Sequence, residues 1–179
     1  LLMVALVDWA FDKSSEQERK EAWERKQSTS LTDVLANSRK IREDRKIIDA
    51  FEPSEQEGPL ADELDEDSAE FALREFLEGW KARNYGRMAS RVVNLTQKSQ
   101  NKMAGEMRDT ADLVELQDYE VTRFRHANVA RCEAVVRVRA KTLTKEVEGS
   151  FDMALLRFNS QGDVAMPLDT DGKWVVQQK

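Results

Sequence analysis

Apolar residues fall at helical spacing in the middle of this chain and alternate with polar ones toward its end. Leu73, Phe76, Leu77 and Trp80 stand at i, i+3, i+4, i+7, which predicts an amphipathic helix starting at a cap on Asp67 or Ser68. Asn84 is expected to end it, because asparagine tolerates a left-handed backbone. Tyr85, Met88, Ala89 and Val92 repeat the spacing and predict a short second helix, and Lys98–Thr110 predicts a third with Met103 and Met107 inward. From Leu113 the period changes to two. Ala130, Cys132, Ala134, Val136, Val138 and Ala140 alternate with Arg131, Glu133, Val135, Arg137, Arg139 and Lys141, the pattern of a half-buried antiparallel strand. Val147–Phe158 is a further long strand. Ser160–Asp163 is a turn, and Asp171-Gly172 introduces a last strand over Lys173–Gln178.

The first half of the chain reads differently. Leu1–Val7 is uniformly apolar but far shorter than the about 20 residues that span a bilayer, so it reads as the end of a longer anchor or as a helix start buried in a complex. Trp9 and Phe11 follow as interfacial aromatics do. Lys13, Arg19, Lys20, Arg25 and Lys26 would set the following chain on the cytoplasmic side of an anchor. Ser15 and Glu18 form a capping box for a charged helix reaching about Gln27. Ser30 caps the next helix, in which Val34, Ile41 and Ile48 recur every seven residues opposite Arg39, Lys40, Arg42, Arg45 and Lys46. That stripe fits a helix that docks on a partner or on a copy of itself, or one packed on its own domain.

Between these halves lies a run with nine acids and no base, from Glu52 to Glu70, punctuated by Pro53, Gly58 and Pro59. Such a segment buries too little apolar surface to fold alone. The expected organisation is therefore an N-terminal helical extension over 1–51, an acidic linker over 52–67 and a folded domain over 68–179.

The text FALREFLEGWKARNYGRMASRV followed by DGKWVV is similar to the nuclear transport factor 2-like superfamily, which includes ketosteroid isomerase and many non-enzymatic bacterial domains. The resemblance covers about residues 68 to 179. It implies an α+β domain in which two or three helices pack on a curved antiparallel sheet and leave a cavity at the open end, with dimerisation through the sheet a frequent arrangement. It carries little about activity, because one fold hosts many sites. Isomerases of this superfamily use an Asp base with Tyr and protonated-acid donors. The residues here that match those types are Tyr85, Tyr119 and Asp118, with Asp152 on a later strand, and His126 is the one histidine available to a dehydratase-type His and Asp pair.

Charge and composition narrow the chemistry. The chain has 179 residues, 35% of them charged, and a net charge of -6, which disfavours nucleic acid as a partner. One cysteine, Cys132, and one histidine, His126, exclude an internal disulfide and leave too few soft ligands for a zinc site. No phosphate loop, nucleophile elbow or metal motif occurs, and no cofactor is implied. Tyr85 is expected in the core by its helical spacing, Cys132 as a small apolar-face residue, and His126 as a solvated residue at a turn. Between Tyr119 and Lys145 seven bases face two acids, and Arg131, Arg137, Arg139 and Lys141 share one side of a strand. The acidic linker or an acidic partner is expected to lie across this basic sheet face.

Two classes of function follow. The favoured one is a non-catalytic interaction domain that uses Val34, Ile41, Ile48 and the basic stripe to bind a protein partner or a second copy, with Leu1–Val7 a further attachment to a membrane or complex. The other is a small-molecule enzyme or binder of isomerase or dehydratase type.

Overall fold

A computed structural model describes residues 31–92, 97–111 and 113–178. The apolar start, the capping box at Ser15, the charged helix after it and the cap at Ser30 lie outside the described residues. Helix α1 spans Leu31–Asp49 and is followed by strand β1, Ser54–Glu57. Helices α2 (Ala69–Lys81), α3 (Tyr85–Ala89) and α4 (Gln97–Ala111) come next. The chain then runs through β2 (Val114–Asn128), β3 (Arg131–Thr142), β4 (Glu146–Phe158) and β5 (Lys173–Gln178). The fold is α+β, with the five strands in the order β1-β2-β3-β4-β5 and every neighbouring pair antiparallel. The sheet is open, not closed into a barrel.

One face of the sheet carries the core. Phe124 and Val121 of β2, Cys132, Ala134, Val136 and Val138 of β3, and Met153 and Leu155 of β4 are buried against Leu73, Phe76 and Leu77 of α2 and Met88 of α3. Met103 and Met107 of α4 join them, as their spacing predicts. The register of β2 slips at three places, between Leu116 and Asp118, Val121 and Arg123, and His126 and Asn128, and each extra residue bends and twists the strand.

The start of α2 follows expectation: the Ser68 side chain accepts a hydrogen bond from the Phe71 amide, 3.0 Å away. Its end does not. Arg83, not Asn84, takes the left-handed backbone, with φ 55°, and Asn84 opens α3 by accepting from the Arg87 amide at 3.1 Å. Asparagine suits both jobs, and here the cap of a following helix claims its side chain first. Gly79 makes the tight corner possible, since a Cβ there would stand 3.1 Å from Cγ and 3.2 Å from the amide of Met88.

The acidic run is more ordered than its composition predicts. Residues 54–57 form β1 at the sheet edge, with Glu55 opposite Arg125 and Glu57 opposite Arg123. The Gly58 amide donates to the Thr122 carbonyl at 3.0 Å, Leu60 packs on the core, and the Arg74 guanidinium donates to the Asp62 carbonyl at 2.7 Å. A segment unable to fold alone is ordered here because a preformed edge supplies both backbone partners and opposite charge. The linker thus joins the edge of β2 and does not lie over the stripe on β3.

Helix α1 packs against the connection between β4 and β5. The Arg157 side chain gathers that connection by donating to the carbonyls of Met166 at 3.2 Å and Asp169 at 2.9 Å. Lys40 Nζ donates to Asp169 Oδ1 at 2.6 Å, and the fully buried Asp44 accepts from the Leu168 amide at 2.8 Å. The contact side of α1 is therefore polar. Leu35 and Ile41, 67% and 61% exposed, face solvent, and Ile47 and Ile48 are exposed beside them. No helix among the described residues is long and apolar enough to cross a membrane.

Candidate functional site

Polar side chains converge along the seam between α2 and β2, from part-buried at one end to exposed at Lys81 and Asp118. Glu70, Arg74, Glu78 and Lys81 fall on one side of α2 by helical spacing. His126 Nε2 stands 2.7 Å from Glu70 Oε1, the Tyr119 hydroxyl donates to Glu78 Oε1 at 2.5 Å, and Lys81 Nζ donates to Asp118 Oδ1 at 3.0 Å. Arg87 of α3 closes the outer side by a two-toothed pair with Glu75, one contact of which is 2.8 Å. The Arg87 guanidinium holds the Glu75 carboxyl below the usual carboxylate range.

At the other end of the seam a chain of three groups continues to β3. Cys132 Sγ lies 3.2 Å from His126 Nδ1, so Cys132, His126 and Glu70 stand in the order of a nucleophile, a base and an orienting carboxylate. An ionised Glu70 can only accept, so Nε2–H is the donor to it; in a neutral ring Nδ1 is then the acceptor that faces the thiol. Burial, with Glu70 adding to it, pushes the Cys132 thiol up to about 12. The sulfur belongs to a residue with no exposed surface, and the His126 ring packs edge-on to Phe124, with centroids 5.3 Å apart. A nucleophilic cysteine needs a thiolate and an approach for its substrate. Here the sulfur is enclosed and its thiol is held protonated by burial, so the arrangement shown is a part-buried polar link between α2, β2 and β3.

The same reasoning applies to the other candidates. Tyr85 is buried in the core, as expected. Burial, and then the bond to Glu78, raises the Tyr119 hydroxyl above its ordinary value. An oxyanion donor must be free to turn to its substrate, and this hydroxyl is already donated to Glu78. Asp118 is an exposed residue whose carboxyl the Lys81 ammonium holds below its usual range. His126 lies seven residues along β2 from Tyr119, about 20 Å of strand. Asp118, Tyr119 and His126 share a seam but no reaction centre. The expectation of a solvated His126 is corrected: it sits inside β2, half-buried, and the turn falls at Val129 and Ala130. Cys132 is a core residue as expected, yet it also holds a polar contact that an apolar-face reading omits.

We expect iodoacetamide to leave Cys132 unmodified in the folded protein at pH 8 and to modify it once denaturant is added, as read by intact mass. Modification in the native state at the rate of the unfolded chain would place the sulfur at an accessible site.

The basic stripe is balanced across strands. Arg137 pairs with Glu120 at 3.4 Å and Arg131 with Glu133 at 2.9 Å. Arg139 lies in register between Asp118 and Glu148, and Lys141 between Glu115 and Glu146. On the same outer face, Glu55, Arg125, Arg123, Glu133 and Asp152 line a cleft of about 140 Å³. Reading β3 by itself gives a cationic surface; its neighbours supply the acids that cancel it.

Glu70 and Glu78 are the residues that sequence reasoning missed. Their signal is present, since both fall on the polar side of the α2 stripe, but Glu70 is masked by the acidic run that ends with it. Set against family models, curated proteins and solved structures, the chain matches none.

Proposed function

We propose that this chain is a non-catalytic assembly domain, of nuclear transport factor 2-like architecture, whose α1 pairs with α1 of a second copy. The residues before α1 add attachment to a membrane or a larger complex. The observation that carries the reading is the orientation of α1. It docks through Lys40 and Asp44 and turns Leu35, Ile41, Ile47 and Ile48 to solvent. A surface helix ordinarily buries its apolar side and solvates its charges. The inverse arrangement leaves apolar surface available to a partner, and covering each of these half-exposed side chains would contribute about 1 kcal/mol.

The positions also suit a two-fold axis. With two helices antiparallel and centred on Ile41, Leu35 faces Ile47 of the second copy and Arg39 faces Glu43. Arg39 and Glu43 are exposed and pair with each other at 3.4 Å, so exchange to the second copy is inexpensive. The enclosed sulfur of Cys132 and the engagement of Tyr119 with Glu78 and of His126 with Glu70 support a non-catalytic reading.

Sedimentation equilibrium tests the reading. The full chain is expected to be dimeric, and Ile41→Asp with Ile48→Asp is expected to give a monomer with unchanged circular dichroism. A wild-type chain that is monomeric at every concentration, or a variant of unchanged mass, overturns it.

A further inference from the structure

Strand β4 is longer than the strand beside it. Its Met153–Phe158 half pairs with β5, whereas Glu146–Asp152 pairs with β3 alone, and among the described residues no strand lies on its other edge. That half carries a readable code. Val147, Gly149 and Phe151 share the core-side face, opposite Ala140, Val138 and Val136, and Glu146, Glu148 and Asp152 share the outer face. The space above the first face is open: Phe151 is 38% exposed, and a Cβ built on Gly149 meets nothing within 4 Å.

We infer that this edge is a docking site for an extended segment of a partner protein in which basic and apolar residues alternate, added to the sheet as a sixth strand next to β4. An exposed edge offers unpaired amides and carbonyls, which supply affinity, while alternate side chains set specificity. The charge pattern selects the partner. Three acids on one face of seven residues repel a second copy of themselves: antiparallel self-pairing about Gly149 would set Glu146 against Asp152 on the outer face. The same acids attract Lys or Arg opposite Glu146, Glu148 and Asp152, with Ser150 neutral among them, and Val147 and Phe151 attract apolar residues on the other face. Strand β3 shows the match on the opposite edge, where Lys141 lies across from Glu146, Arg139 from Glu148, and Ala140 from Val147. This site is separate from α1 and stands or falls without the dimer.

The test uses the intact chain and two peptides. One has the sequence of Val135–Thr142. The other carries Glu at the three basic positions. The basic peptide is expected to bind, with affinity falling as salt rises, and to slow amide exchange across Glu146–Asp152. The acidic peptide is expected to bind at least about tenfold more weakly, since in the β3-like register two cross-strand pairs, opposite Glu146 and Glu148, turn from attraction to repulsion. In Glu146→Lys with Glu148→Lys the preference is expected to invert, which also reports that the variant is folded. The comparison of the two peptides on the unaltered chain stands without any variant. Equal binding of both peptides, binding that leaves exchange at Glu146–Asp152 unchanged, or slowing that follows protein concentration without peptide overturns the proposal, the last assigning the edge to a second copy.

Discussion

Replacing Phe124 by alanine is expected to lower the stability of the domain by about 3–5 kcal/mol. Phe124 is 1% exposed, sits on β2 between two of its irregular pairings, and touches the His126 ring edge-on. Its removal takes away buried aromatic surface and leaves a cavity in a curved strand pinned on both sides by β1 and β3. It also removes the wall that orients His126 between Glu70 and Cys132. A loss of this size is a large share of the about 5–15 kcal/mol that holds an ordinary domain folded. The control is Phe151→Ala on the same face of the sheet, where a 38% exposed ring lies over open space and a loss of under about 1 kcal/mol is expected. Denaturant unfolding followed by tryptophan emission measures both. Equal losses would mean that the core extends over β4 farther than its exposed half indicates.

The contrast between these two phenylalanines illustrates what a sequence conveys about a fold of this kind. Periodicity reports which side of an element is apolar. It locates α2 through Leu73, Phe76 and Leu77, and β3 through the alternation from Cys132 to Ala140, and both are buried where they were expected. It does not report what the apolar side faces. The stripe of Ile41 and Ile48 has the same signature as a core stripe, yet those residues are exposed, because Lys40 and Asp44 find specific partners on the β4–β5 connection 120 and more residues away. Strand β1 was hidden for the related reason that Ser-Glu-Gln-Glu has little tendency to form a strand, and its order comes from the edge and from Arg123 and Arg125. The seam was legible only by halves. Tyr119, Asp118 and His126 stood out by residue type, but Glu70 lies 56 residues from His126 and Glu78 lies 41 from Tyr119, and nothing local announces those pairs. Without the partners the side chains resembled candidates for catalysis; with them they are cross-links.

Asp44→Ala is expected to release α1 from the domain while leaving the sheet intact, with a loss of about 1.5–3 kcal/mol in that contact. Asp44 is the charged side chain buried most deeply among the described residues, at 1% exposure, and it receives the Leu168 amide. Alanine deletes the hydrogen bond that the buried Asp44 carboxyl accepts from the Leu168 amide and removes the buried side chain itself, whereas Asp44→Asn keeps an acceptor oxygen in place and should recover most of the effect. Trypsin provides a local measurement. Cleavage after Arg39, Arg42, Arg45 and Lys46 is expected to accelerate in the alanine variant, and cleavage after Lys141 and Lys145 to remain slow. Acid should produce the same release by another route. The hydrogen bond from Lys40 depresses the Asp169 carboxyl below its ordinary value, so the carboxylate's contribution is complete above about pH 4 and disappears as pH falls through the lower, folded value. Lys40 is raised, principally by the same bond, so its side of the pair survives until strongly alkaline pH. Amide exchange, which unlike trypsin can be read in acid, should therefore show α1 protected from neutral pH down to about pH 4 in the wild type. In Asp169→Asn the charge pair is absent at every pH, and the acid-dependent step should vanish. Uniform acceleration at all sites in Asp44→Ala would show instead that α1 is part of the global fold, and the outward apolar face could then not be freed from the domain without unfolding it.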